Sequence, residues 1–395
     1  MIYLDHAATT PLDPAVLDAM LPYLREDYGN ASSVHQLGRR ARVAVERARE
    51  AVARHLGSEP AEVIFTSGAT EANNAALRGV LAALPERPAL VTTAVEHEAV
   101  LQPAEALHEA GHPVTVLRPP QHGAVTACQV EEALASLDAS GTPAGLVSVM
   151  LVNNEVGTVA PLAEIAEVAR ARGAYVHTDA VQAAALYELN VDRLGVDLLS
   201  LSGHKVYGPK GVGALYVRAG TPIVPMVVGG AQERRRRGGT ENVAAVVGLA
   251  KALDLAAERR SEERARLAGL HRMLASELAA AFEGRIRFNS PVEPYADEEA
   301  EVAPHVLNVS FRPKGDDALD GEMLLLSLDL AGVLVSSGSA CTSGAVEPSH
   351  VLRALGVPEQ EAQATVRFSL GRGTTAAEIE ATVERLRRVI ERMRR

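Results

Sequence analysis

The chain is short of cysteine, lysine and tryptophan. Only Cys128 and Cys341 occur in 395 residues, and tryptophan is absent. Two thiols exclude a disulfide framework and a cysteine-rich zinc site, and they point to a reducing compartment. Lysine is confined to Lys205, Lys210, Lys251 and Lys314, against 35 arginines. Arginine therefore stands almost everywhere a plain positive charge suffices. Long apolar runs are also missing: even Met323 to Val335 is broken by Ser327 and Asp329, and a membrane helix needs roughly 18 uninterrupted apolar residues. Asp5 and His6 stand where a signal peptide would carry a basic region and an apolar run. A cytoplasmic chain without a membrane partner is expected. The net charge of −11 argues against stable nucleic-acid binding, and 47% hydrophobic with 23% charged residues marks a globular protein.

From about residue 40 to 250, short β-branched runs alternate with helical stretches, the pattern of a parallel sheet covered by helices. Strands are predicted at Val63 to Thr66, Leu90 to Thr93, Val114 to Leu117, Leu146 to Val152, Ala174 to Thr178, Leu198 to Ser202 and Gly213 to Val217. Ala41, Val45, Ala48, Val52 and Leu56 share one helical face, as do Leu162, Ile165, Ala166 and Ala169. Past Val243 a long proline-free amphipathic run reaches Phe282, followed by acidic residues Asp297, Glu298 and Glu299 and a strand at Val306 to Phe311. Thr375 and Glu378 have capping-box spacing ahead of the stripe Ile379, Val383, Leu386, Ile390 and Met393. The expected architecture is α/β, with a large domain at residues 14–250 built on a mostly parallel seven-stranded sheet. Residues 1–13 and 251–395 are expected to form a smaller α+β domain.

In an open α/β sheet, ligands bind beyond the carboxyl ends of the strands. Four such ends carry polar residues here. Thr66-Ser67-Gly68-Ala69-Thr70-Glu71 follows a strand and opens a helix. Its small residues let backbone N–H groups approach a phosphate, and Thr70 adds a hydroxyl; a plain turn with a threonine cap is the alternative. Asp179, with Gln182, follows another strand; buried, it needs a partner such as a protonated ring nitrogen, unless it merely caps a helix. Ser202-Gly203-His204-Lys205 closes a third. A lysine here, in a chain that avoids lysine, suggests an amine able to lose its proton and form a Schiff base, which guanidinium cannot do; a solvated surface lysine is the rival. Glu96-His97 follows the fourth, where the imidazole stacks on a ring, shuttles protons or plays a structural part. A phosphate cradle, a carboxylate for a ring nitrogen and a Schiff-base lysine together describe a site for pyridoxal 5'-phosphate.

The motifs YLDHAATTP (Tyr3 to Pro11), GNASSVH (Gly29 to His35), FTSGATEANN (Phe65 to Asn74), VNNEVG (Val152 to Gly157), HTDAVQ (His177 to Gln182), SGHKVYGPKGVGALYV (Ser202 to Val217), GGTENV (Gly238 to Val243), SSGSACTS (Ser336 to Ser343) and RFSLGR (Arg367 to Arg372) run along the whole chain. Through them the sequence resembles the cysteine desulfurases of the class V aminotransferase group, on the side of nitrogenase-type and housekeeping iron–sulfur enzymes. The resemblance implies the fold type I architecture of pyridoxal-phosphate enzymes. It implies that Lys205 carries the cofactor, Asp179 pairs with the pyridine nitrogen, His97 stacks on the ring and Gln182 meets the phenolic oxygen. Ala69, Thr70, Ser202 and His204 then surround the phosphate, Thr240 reaches it from the other subunit of a homodimer, and Asn154 and Arg367 bind the substrate, L-cysteine. The implied products are L-alanine and a persulfide on Cys341, for an acceptor protein in iron–sulfur assembly or tRNA thiolation.

Cys341 lies among serines, glycines and alanine, composition that predicts a mobile, accessible loop suited to a sulfur carrier. Cys128 reads instead as a buried small hydrophobe. The run Arg234 to Arg237 precedes Gly238-Gly239-Thr240 and reads as a loop bordering the anionic cofactor and a dimer interface, with RNA phosphate as the alternative. A selenocysteine lyase or an aminotransferase on the same fold, and a non-catalytic RNA-reading relative, are the rival functions. Some housekeeping relatives carry a longer carboxyl-terminal tail than the capped helix and Arg392-Met393-Arg394-Arg395 seen here, which leaves an iron–sulfur scaffold, a thiolation relay or another acceptor open as the partner.

Overall fold

The seven strands expected between residues 63 and 217 form one sheet. The structure, a computed structural model, describes residues 1–120, 123–292, 301–313, 318–338 and 348–394. After a short amino-terminal strand β1 (Ile2–Tyr3), the sheet is built from β2 (Val63–Thr66), β3 (Ala89–Thr93), β4 (Val114–Leu117), β5 (Ala144–Ser148), β6 (Tyr175–Asp179), β7 (Leu198–Ser202) and β8 (Gly213–Val217). Their spatial order is β2-β8-β7-β6-β5-β3-β4. Only β8 runs antiparallel to its neighbours. The carboxyl ends of β2, β3, β5, β6 and β7 therefore share one edge, where Thr66 and Ser202 both stand opposite Gly213. A Cβ on Gly213 would lie 2.8 Å from the Gly68 Cα, so glycine is what lets these two strand ends close up.

The apolar run at Leu146 to Val152 is longer than its strand. The ladder starts at Ala144 and stops at Ser148, while Val149 and Leu151 still donate to His177 and Asp179 carbonyls at 3.1 and 3.0 Å. The chain thus carries buried apolar residues past the regular pairing, and the following turn projects from the sheet edge. Helices pack on the sheet as their periodicity dictates. In the helix Gln36–Leu56 the residues Ala41, Val45, Ala48, Val52 and Leu56 are all buried, and left-handed Gly57 (φ 66°) ends it.

One helix, Val243–Ala281, runs unbroken through residue 250. Beyond it, β9 (Ile286–Phe288), β10 (Val306–Phe311) and β12 (Thr365–Ser369) make an antiparallel sheet in the order β12-β10-β9, and β11 (Val333–Leu334) pairs in parallel with β1. The last helix, Ala376–Met393, has the capping box expected of Thr375 and Glu378, with Ile379, Val383, Leu386 and Ile390 buried.

One expectation needs correction. Cys128 is exposed. It lies two residues, or about 200° of helix, from Val130, and Val130 and Leu134 form the buried face of the helix Ala127–Ala139. Its Sγ meets only Glu132, at 3.6 Å. The arginine run, for its part, is organised by the glutamate before it. Glu233 is buried and takes both Nη groups of Arg49 at 2.8 Å and the Phe65 N–H at 3.0 Å. Arg236 donates to the Ala61 carbonyl and Arg237 to Glu71, so these two side chains face their own protein rather than an external polyanion.

Candidate active site

A cavity of about 1140 Å³ opens at the carboxyl edge of the sheet. It is lined by Ala69, Thr70, His97, Asn154, Asp179, Gln182, Ser202, His204, Lys205 and Arg367, so these ten residues of the sequence-based set converge there. Thr240 does not line it and is exposed. Cys341 lies outside the described residues.

Each position follows from local folding. The helix Ala69–Ala83 starts straight from β2 with Gly68 at its amino-terminal cap and no side-chain cap, so Thr70 lies inside the first turn rather than capping it, and its amides face the cavity edge with no competing side chain. Asp179 is the last residue of β6, not a helix cap. Its Oδ1 accepts from the Val181 N–H at 3.0 Å, and its Oδ2 from Asn73 Nδ2 at 2.7 Å. His97 caps the helix Glu98–Glu109: its Nδ1 accepts from the Ala99 N–H at 3.0 Å. That assigns the ring proton to Nε2, and burial holds the imidazole below its ordinary pKa. Burial, with Lys205 and Lys210 nearby, lowers His204 to about 4.

Lys205 leaves β7 in a single tight turn. Its Nζ donates to the carbonyls of Ala7 and Ala8 at 2.5 and 2.7 Å. Burial, reinforced by the Arg367 charge and opposed by Asp5 and Asp179, lowers its pKa to about 8. A sizeable fraction of the amine is thus neutral near physiological pH, which a surface lysine does not offer. Gln182 Nε2 donates to the Ala7 carbonyl at 2.9 Å, with His305 Nε2 at 3.4 Å from its Oε1.

Arg367, on β12, is almost wholly buried; it donates through Nη1 to the Asn154 carbonyl at 2.9 Å and through Nη2 to Asp5 Oδ1 at 3.0 Å. Its Nε and the Asn154 Oδ1 are buried without a partner among the described residues. These unmet groups, the activated amine, the strand-end carboxylate and the uncapped helix start make a donor set that fits pyridoxal 5'-phosphate and an amino-acid carboxylate. Among the described residues no group of histidine, cysteine and acidic side chains could hold a metal ion, and no helix is long and apolar enough to cross a membrane.

The aminotransferase class-V family model matches residues 2–382. The chain belongs to that family. A Dictyoglomus turgidum protein described as cysteine desulfurase IscS is 44% identical over the whole of this chain and 95% of its own length. A solved structure described as a NifS-like protein superposes with a TM-score of 0.86 at 35% identity, covering 99% of both chains. Another, described as SspA in complex with cysteine, gives 0.77 at 36% identity, covering 94% of this chain and 99% of that one. The family membership and the α/β architecture expected from the motifs are thereby shown.

Two cavity residues, Asn73 and Glu155, and Asp5, which bonds to Arg367 without lining the cavity, were not singled out as site residues from the sequence. Asn73 lies three positions after Thr70, on the same helical face, so spacing alone offered a signal. Glu155, fully buried beside Asn154, stood out only as an acid in an apolar stretch. Asp5 had no local signal, because its partner is 362 positions away.

Proposed function

We propose that this class-V family member is an L-cysteine desulfurase that releases L-alanine and leaves the sulfur as a persulfide on Cys341. The observation that carries the reading is the convergence of Lys205, Asp179, His97 and Arg367 on one cavity, in a chain whose full-length relatives are named cysteine desulfurases.

Bound through Lys205, pyridoxal 5'-phosphate supplies a protonated ring that stabilises negative charge at the substrate α-carbon. The residues assigned to holding it are the amides and hydroxyl at Ala69 and Thr70, with Ser202 and His204, for the phosphate. Asp179 would keep the ring nitrogen protonated, Gln182 would meet the phenolic oxygen and His97 would stack on the ring. Arg367 and Asn154 hold the substrate carboxylate by charge-assisted hydrogen bonds. Lys205, with its pKa near 8, accepts the α-proton. The Cys341 thiolate attacks the substrate sulfur: an S–S bond forms, the Cβ–S bond breaks, and its electron pair ends as a C–H bond of alanine after protonation. In this reading His97 Nε2–H exchanges a proton in the same step.

Two features support Cys341 as carrier. Gly338 and Pro348, the described residues on either side of its segment, both line the cavity. The second is Glu155, whose Oε2 accepts from Ser349 Oγ at 2.5 Å and lies 2.9 Å from where a Gly338 Cβ would stand. Exposed Thr240, outside its own chain's cavity, suits a role in the partner's site of a homodimer. The acceptor is an iron–sulfur scaffold or a thiolation relay, and the setting is the cytoplasm, where thiols stay reduced.

Converting Cys341 to Ala is expected to abolish protein persulfide and most sulfide release in reductant while sparing the visible absorbance of the bound cofactor. Sulfide release at the wild-type rate refutes the carrier role.

A further inference from the structure

We infer that Asp5 is a positioning residue for substrate recognition: it holds the Arg367 guanidinium in the orientation that receives the substrate carboxylate. The inference rests on the proposed reading of Arg367 as the carboxylate site and adds a residue to it.

The geometry is set by three neighbouring segments. Asp5 forms a parallel bridge with Ser369, and Ser336 an antiparallel one with Arg367. The backbone around Asp5 is locked on both sides: Leu4 N–H donates to the Leu334 carbonyl at 2.9 Å and His6 N–H to the Ser369 carbonyl at 3.2 Å. The Asp5 carbonyl also accepts from Tyr3 Oη at 3.1 Å. The side chain has little freedom left. Its Oδ1 accepts from Arg367 Nη2 and from Ser336 Oγ, both at 3.0 Å.

Arg367 is anchored at two of its nitrogens, one on the Asp5 carboxylate and one on the Asn154 carbonyl. A guanidinium has five N–H donors in one plane, so two fixed bonds fix the plane and leave three donors to a ligand. Rigid donors lose less freedom on binding, which is where preorganisation raises affinity. Asp5 is 22% exposed at its side chain and Arg367 only 5%, so the bond between them is largely shielded from water. The role ascribed to Asp5 comes from its hydrogen-bond acceptance, which asparagine reproduces and alanine does not.

The test uses holoenzyme and three ligands: L-cysteine, 3-mercaptopropionate, which keeps the carboxylate and lacks the amine, and cysteamine, which keeps the amine and lacks the carboxylate. Loss of a hydrogen bond to a charged group lowers affinity about ten-fold or more. In Asp5→Ala, the KM for L-cysteine and the inhibition constant of 3-mercaptopropionate are expected to rise by about that factor with kcat changed less, while cysteamine stays within about two-fold. Asp5→Asn is expected to restore both carboxylate ligands. Equal weakening of cysteamine, no effect of Asp5→Ala, or failure of Asp5→Asn to rescue overturns the inference. Ser336→Ala, which removes only the second donor on Oδ1, is expected to show the same ordering at smaller amplitude, and it keeps the test decisive if Asp5→Ala does not fold. Arg367→Ala separates the two layers. If it leaves discrimination between L-cysteine and cysteamine intact, the reading of Arg367 itself falls; if it abolishes discrimination while the Asp5 variants do nothing, only the present inference falls.

Discussion

Replacing Glu96 by Gln is expected to change how stability depends on pH more than it changes stability at any one pH. Glu96 is completely buried. Its Oε1 accepts from Thr93 Oγ1 at 2.8 Å and from the Met150 N–H at 3.0 Å, and its Oε2 has no partner among the described residues. Burial raises the carboxyl from 4.5 to about 8; the two hydrogen bonds oppose the rise and the Asp179 charge adds to it. The folded chain therefore keeps a proton that the unfolded chain releases above its own pKa. The contribution is fully present below pH 4.5 and is lost as pH rises toward 8. The loss runs at about 1.4 kcal/mol per pH unit and is on the order of 3 kcal/mol by pH 7. Glutamine keeps an acceptor oxygen for Thr93 and Met150 and cannot ionise, but its amide enters a place without an acceptor, at a cost of about 1–3 kcal/mol. Glu96→Gln should thus be the less stable protein at pH 5 and draw level with or pass the wild type by pH 8. Buried His6, His177 and His305, lowered by desolvation to about 4, 3 and 3, impose the opposite trend below pH 6.5, but equally on both proteins. The assay is the urea midpoint of the holoenzyme at fixed protein concentration from pH 5 to 8, with an infrared difference spectrum for the protonated carboxyl. Parallel stability curves, or no protonated-carboxyl band lost in the variant at pH 6, would refute the reasoning.

Asn73→Ala removes the 2.7 Å bond to Asp179 Oδ2. It should speed dissociation of pyridoxal phosphate from the holoenzyme by roughly 10- to 100-fold, the worth of a hydrogen bond to a charged group, as followed by loss of the visible absorbance on dilution. Arg49→Ala leaves Glu233 buried with no countercharge from its bidentate partner. The expected cost is about 3–5 kcal/mol, read as a lower denaturation midpoint, whereas Arg387→Ala, whose partners are exposed, should move the midpoint little.

Much of the fold was legible because its signals are local. The seven strands of the large sheet appear close to where β-branched runs stand, and the faces led by Ala41 and Leu162 are buried as their spacing implies. The misreading of Cys128 has a physical cause. Cysteine is usually buried, but its phase relative to Val130 and Leu134 puts Cys128 on the outer face of its helix. The turn at the arginine run is organised by buried Glu233, which had no local signal because its partner Arg49 is 184 positions away.

The sequence alone determined which chemistry the chain offers. It has one lysine at a strand end where arginine is otherwise used, an aspartate and a histidine at the ends of two other strands, and a cysteine among small residues. Residue type and helix or strand period are properties of short segments, so they can be read without coordinates. Tertiary structure decided the electrostatics and the supporting contacts. Lys205 is lowered to about 8 only because folding buries it and brings Arg367 near. Asp5 meets Arg367 only because an amino-terminal segment lies beside β12. Desolvation and long-range pairing exist only once the chain has closed around them.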